Sequence, residues 1–162
     1  MATLLDFIGN TPLVEITNIF NKPNVKIFAK LEGHNPGGSV KDRAAYNMIK
    51  RAVERGDIKP GMKLIEATSG NTGIALAMIA RLYKLDIELV MPDNSTRERV
   101  LTMEAFGAKV TLTPAAISIE GSRDYAEAQV AKGGFYMLDQ FANPDNYNAH
   151  YESTRCIERF ER

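Results

Sequence analysis

Apolar and polar positions along the chain alternate between a period of two and a period near 3.6. Residues 25–31 place Val25, Ile27, Ala29 and Leu31 on one face and predict a strand, preceded by a short run at 13–16. Ser39 opens a helix with Ala44, Ala45, Met48, Ile49, Ala52 and Val53 as its apolar stripe. Asp42 stands three residues after Ser39 as in a capping box, and Gly56 ends the helix. Strands are predicted at 62–67, 86–91, 109–113 and 135–138. Helices are predicted from Ile74 to Leu82, apolar nearly all round and hence buried, from a Ser95 cap to Phe106, and over 120–132. Residues 139–147 read as a polar loop and 151–162 as a last helix. Met78, Met91 and Met103 are core candidates.

Strands alternating with helices of this length imply βαβ units. The fold class expected is therefore α/β, a three-layer parallel sheet with helices on both faces. Such sheets bind ligands beyond the carboxyl ends of their strands. The loops at 35–41 and 68–73 each follow a strand and precede a helix, so both are expected on one rim.

Length and charge narrow the classes. With 162 residues, 44% apolar and 25% charged, the chain suits a soluble globular domain. Net charge is zero, which argues against nucleic-acid or anionic-membrane partners held by bulk electrostatics. One cysteine, Cys156, permits no internal disulfide, and no stretch reaches membrane-spanning length. The expected location is cytoplasmic, with no membrane partner. His34 and His150 lack neighbours at ligand spacing, so no metal site is expected.

Two stretches carry candidate chemistry. Gly37-Gly38-Ser39-Val40-Lys41-Asp42-Arg43 puts a lysine in a helix's first turn, where the macrodipole disfavours a cation. A neutral amine is what a nucleophilic lysine needs, although a solvated surface lysine fits the same position. Gly33 and Gly38 have phosphate-loop spacing, but Ser39-Val40 follows where Lys-Ser/Thr is required, which excludes a nucleotide P-loop. Thr68-Ser69-Gly70-Asn71-Thr72-Gly73 offers hydroxyls, an amide and a helix N-terminus, suited to a carboxylate or phosphate. The same residues also serve as ordinary caps.

Four motifs in this order carry a family resemblance. Gly9-Asn10-Thr11-Pro12-Leu13, Lys30-Leu31-Glu32-Gly33, Asn35-Pro36 with the Gly37 to Arg43 stretch, and the Thr68 loop together resemble the cysteine synthases. These are pyridoxal 5'-phosphate (PLP) enzymes of the tryptophan-synthase-β architecture, PLP fold type II. The resemblance runs from about residue 5 to Thr154. Glu66-Ala67, Met91-Pro92-Asp93-Asn94, Glu120-Gly121-Ser122-Arg123-Asp124 and Asp139-Gln140-Phe141 are nearer the B type than the A type.

The resemblance implies roles. Lys41 would bind the cofactor covalently and later take the substrate α-proton. Asn71 would bond the PLP 3′-oxygen. Thr68, Ser69, Gly70 and Thr72, with Gln140, would hold the amino-acid carboxylate. The reaction implied is β-replacement on O-acetylserine or O-phosphoserine with a sulfur donor, in cysteine biosynthesis. A related serine or threonine dehydratase fits the motif context less well. The implied organisation is an N-terminal segment and hairpin at 1–34, a PLP-enzyme domain at 35–154 with a mobile subdomain at about 86–132, and a non-family tail at 155–162.

The matching stops after Thr154, where the family continues with Gly-Pro-Glu-Ile-Trp. The phosphate-binding loop of the family lies beyond that point, so PLP binding is expected to be weak or absent and turnover small. In the family the first hairpin adds to a sheet of the absent half. An orphaned apolar hairpin implies self-association into a homo-oligomer or a rearranged N-terminal segment. The alternative is a non-catalytic, self-associating α/β module without PLP.

Overall fold

The computed structural model describes residues 1–17, 22 and 24–155. β1 (Leu13–Glu15) and β2 (Phe28–Lys30) pair antiparallel, with Leu13 opposite Lys30 and Glu15 opposite Phe28. The strand expected over 25–31 is thus shorter, yet single backbone bonds extend the pairing. Ile16 donates to Ile27 at 2.8 Å and Leu31 to Pro12 at 2.9 Å.

A second sheet has the order β5-β4-β3-β6 and is parallel throughout. Its strands are β3 (Lys63–Ala67), β4 (Ile87–Pro92), β5 (Lys109–Thr113) and β6 (Phe135–Met137). α1 (Lys41–Arg55) leads into β3, α2 (Asn71–Leu82) joins β3 to β4, and α3 (Arg97–Ala105) joins β4 to β5. α4 (Ser118–Lys132) joins β5 to β6, and α5 (Pro144–Ala149) follows, continued by a π-helical turn His150–Thr154.

The sheet has two apolar faces. On one, Leu64, Leu89 and Met91 pack with Met48 and Ile49 of α1, Leu76 and Ile79 of α2, and Met103 of α3. On the other, Ile65 and Val90 pack with Ala126 of α4. That is the expected three-layer arrangement. All six residues of β4 are buried, as in a central parallel strand covered on both faces. Each fully buried Leu, Ile or Met side chain contributes about 1.5–3 kcal/mol.

Several local expectations are corrected. Val40, not Ser39, is the residue before α1, and Asp42 reaches back to the Gly37 N–H rather than to Ser39. Thr96, not Ser95, precedes α3, because the Ser95 N–H closes a turn onto the Pro92 carbonyl at 3.0 Å. Val53 lies off the α1 core face and is exposed. α4 begins at Ser118, two residues ahead of the expected start. The expected polar loop at 139–147 contains the start of α5, capped by Asn143, whose side chain accepts the Asp145 N–H at 2.9 Å. The expected helix at 151–162 falls partly outside the described residues, and within them the chain forms the π-helical turn instead. Most of the tail expected at 155–162, including Cys156, also lies outside the described residues.

Candidate active site

Neighbouring strands set the rim. β3 ends into Thr68, Ser69 and Gly70, and its partner β6 ends into Leu138, Asp139 and Gln140. The Gln140 side chain crosses the gap and donates to the Ala67 carbonyl at 3.1 Å. α1 enters β3 at its foot, so it runs against the strand and its first residue stands at the carboxyl end of β3. α2 starts from that same end and packs beside α1. Lys41, Thr68, Ser69, Gly70, Asn71, Thr72 and Gln140 therefore share one rim. The route differs from the expected one. β2 belongs to the hairpin, not the parallel sheet, and chain direction alone brings Lys41 to the rim.

The loop before Lys41 is held by its own acid. Asp42 is fully buried and its carboxylate accepts the Gly37 N–H. Burial pushes the Asp42 carboxyl up, against the pull of that backbone donor. A Cβ on Gly37 would lie 2.6 Å from Asp42 Oδ1, so only glycine allows this approach. The Ser39 hydroxyl accepts the Lys41 N–H at 3.2 Å. Lys41 itself is half-buried at the first position of α1.

Beneath it lies a buried network. Arg43, 3% exposed, donates from Nε and Nη2 to the two Glu32 oxygens at 2.8 and 2.9 Å. It also donates to the Thr11 hydroxyl at 3.0 Å and the Ser153 carbonyl at 2.6 Å. Asn35 donates to Glu32 at 2.9 Å and accepts the Gly9 N–H at 2.8 Å. Burial works to raise the Glu32 carboxyl, but hydrogen bonds from Arg43, Thr11 and Asn35 prevail and hold it at about 2. Burial also lowers His150, and the nearby Lys41 and Arg43 cations add to this.

The second loop is small and tightly seated. Thr68 and Thr72 are buried, Ser69 and Gly70 are half-buried, and Asn71 is exposed. Gly70 precedes α2, and the first N–H groups of that helix have no partner within it. A Cβ on Gly73 would lie 2.6 Å from Met103 Cε, so α3 packs directly behind the loop. Arg99 of α3 donates to the Ser69 carbonyl at 3.3 Å. Glu66, which sequence reasoning left without a role, accepts the N–H groups of Asp139 at 2.9 Å and Gln140 at 3.3 Å. Its position before the Thr68 loop was the available signal. Among the described residues no group of three or more His, Cys, Asp or Glu can hold a metal ion. Among them, too, no helix is long and apolar enough to cross a membrane.

The donors fit one part of PLP and an amino acid. An amine at the start of α1 suits an aldehyde, the Asn71 amide suits a ring oxygen, and the α2 N-terminus with three hydroxyls suits a carboxylate. Comparisons with known proteins give the family. The family model described as pyridoxal-phosphate dependent enzyme matches residues 4–156. Cysteine synthase B of Salmonella typhimurium is 54% identical over 154 residues, which are 95% of this chain and 51% of that protein. Cysteine synthase B of Pseudomonas syringae pv. syringae is 52% identical over 94% of this chain and 90% of its own length. A hydrogen sulfide-producing enzyme from Fusobacterium nucleatum superposes with a TM-score of 0.87 at 42% identity, covering 95% of this chain and 50% of that one. The chain spans about half the length of most of the curated relatives it matches.

Proposed function

The chain belongs to the pyridoxal-phosphate dependent enzyme family, of fold type II, and from that premise we propose that it carries the lysine and carboxylate half of a cysteine synthase-type site. The observation that carries this reading is the convergence of Lys41, the Thr68 loop and Gln140 on one rim. The reaction is β-replacement on O-acetylserine or O-phosphoserine in cysteine biosynthesis. The Cα proton leaves, the acyl or phosphoryl oxygen departs from Cβ with its bonding pair, a sulfur nucleophile forms the Cβ–S bond, and a proton returns to Cα.

PLP, when bound, supplies the electron sink that makes the Cα proton removable. Lys41 would hold it through the side-chain amine and act as base for the α-proton. Asn71 would bond its ring oxygen. Thr68, Ser69, Gly70 and Thr72 would bind the substrate carboxylate with the α2 N–H groups, and Gln140 would close that site from β6. The segment 86–132 would move over the bound substrate. Its polar links to the rim include Arg99 to Ser69 and Arg123 to Asp139.

The first curated relatives are about twice this length, and what the residues present here predict is cofactor capture through Lys41. Titration with PLP tests this. We expect a visible band from lysine-bound cofactor, absent in Lys41→Ala. A band of equal strength in that variant would overturn the assignment of Lys41.

The exposed hairpin favours a second reading, a cofactor-free module that associates with itself. Val14, Val25, Ile27 and Phe28 are all exposed. Absence of any PLP band together with a stable oligomer would select it.

A further inference from the structure

Glu66 sits near the end of β3, two residues before Thr68, with a side chain only 1% exposed. Its carboxylate reaches across to β6 and collects two backbone N–H groups, those of Asp139 at 2.9 Å and Gln140 at 3.3 Å. The turn it holds is unusual. Asp139 has φ +51°, a left-handed conformation that a non-glycine residue adopts at a cost. Other bonds pin the same turn: Asn143 donates to the Leu138 carbonyl and Asn146 to the Gln140 carbonyl, both at 2.7 Å. The Asp139 carboxylate meets Arg123 of α4, with oxygens 3.2 and 3.3 Å from Nη2. The nearer oxygen, Oδ1, is buried and misaligned for a hydrogen bond.

We propose that Glu66 is a positioning residue: its buried carboxyl fixes the turn that presents Gln140 and, through Asp139 and Arg123, couples that turn to α4. The bearing on catalysis rests on the reading of Gln140 as a carboxylate contact. The coupling itself does not.

The chemistry demands an acid here. The Asp139 N–H takes Oε2 and the Gln140 N–H takes Oε1, so both oxygens act as acceptors. A glutamine would point its own NH2 at one of those N–H groups, donor against donor. Protonation of Glu66 has a similar effect, turning one acceptor into a donor and releasing the longer bond, to Gln140. Burial pushes the Glu66 carboxyl up to about 7, partly opposed by the two N–H groups. Of the charged groups near it, Asp139 of the turn raises it further and Arg123 of α4 lowers it. The strand neighbour in register on β4 is Leu89, which is apolar.

Amide NMR of the full chain without cofactor, from roughly pH 5 to 9, tests the proposal. The Asp139 and Gln140 amides should titrate together with a midpoint near 7. In Glu66→Gln that titration should vanish while the remaining spectrum persists. In Arg123→Ala the midpoint should move upward, because a cation that favours the ionised acid is gone. Amides that stay still in the parent chain, or a titration that survives Glu66→Gln, would overturn it. Should Glu66→Gln fail to fold, an unmoved midpoint in Arg123→Ala overturns it and an upward shift supports it. None of these signals depends on PLP, so a failed PLP titration leaves the result intact.

Discussion

Arg43 and Glu32 form a bidentate pair, with side chains only 2% and 18% exposed, and removing one member strands the other's charge. Arg43→Ala should therefore cost about 3–5 kcal/mol of stability, read from urea unfolding. Arg43→Lys should recover little, because a single ammonium cannot serve both oxygens and Thr11. The pair also predicts an acid limb. Glu32 sits at about 2 when folded against 4.5 ordinarily, so its contribution is present above 4.5 and lost as pH falls toward 2. The urea midpoint should fall across that window, and less steeply in Glu32→Gln. An equal slope in the variant would assign the acid limb to other carboxylates. Gly37→Ala sets a methyl 2.6 Å from Asp42 Oδ1 and should cost about 1–3 kcal/mol. Such a shift in the loop before Lys41 should weaken the PLP band more than a remote substitution of equal cost.

At the scale of elements, α5 is the instructive miss. Asn143-Pro144-Asp145 is a helix start by its own chemistry: a capping amide, proline at the first position and an acid in the first turn. The helix is six residues long and buries only Asp145 and Ala149, so no apolar period announces it. What holds it is α1. Asn47 donates to the Asp145 carbonyl at 2.8 Å and Arg55 to its carboxylate at 2.7 Å. Asn143→Ala removes the cap and the donor to Leu138, and should cost about 1–2 kcal/mol. The loss should register in amide exchange over residues 138–149, while an unchanged pattern there would place the helix's support elsewhere. By contrast β5 stands at the bounds expected from the sequence, Lys109–Thr113.

At the scale of the molecule, the parallel sheet is covered on both faces and the hairpin is not. Its two strands carry exposed Val14 and Phe28, with Val25 and Ile27 exposed alongside. Two-stranded ribbons are marginal alone. The chain should associate with concentration in sedimentation, and a double substitution of Ile27 and Phe28 to lysine should shift it toward monomer. A monomer at all concentrations would show that the hairpin covers itself.

The order of strands and helices, the βαβ class and the two rim loops follow from the chain's own periodicity and punctuation, because these are local properties of neighbouring residues. The glycine before Asp42 and the lysine opening α1 belong to the same local grammar, although PLP entered only through family resemblance. Tertiary structure alone decided that Thr11, Glu32, Asn35, Arg43 and the Ser153 carbonyl are one network, and that Glu66 holds Gln140. Those contacts join residues as far as 110 positions apart. No periodicity spans such a distance, since only packing brings the partners together and burial gives their hydrogen bonds strength.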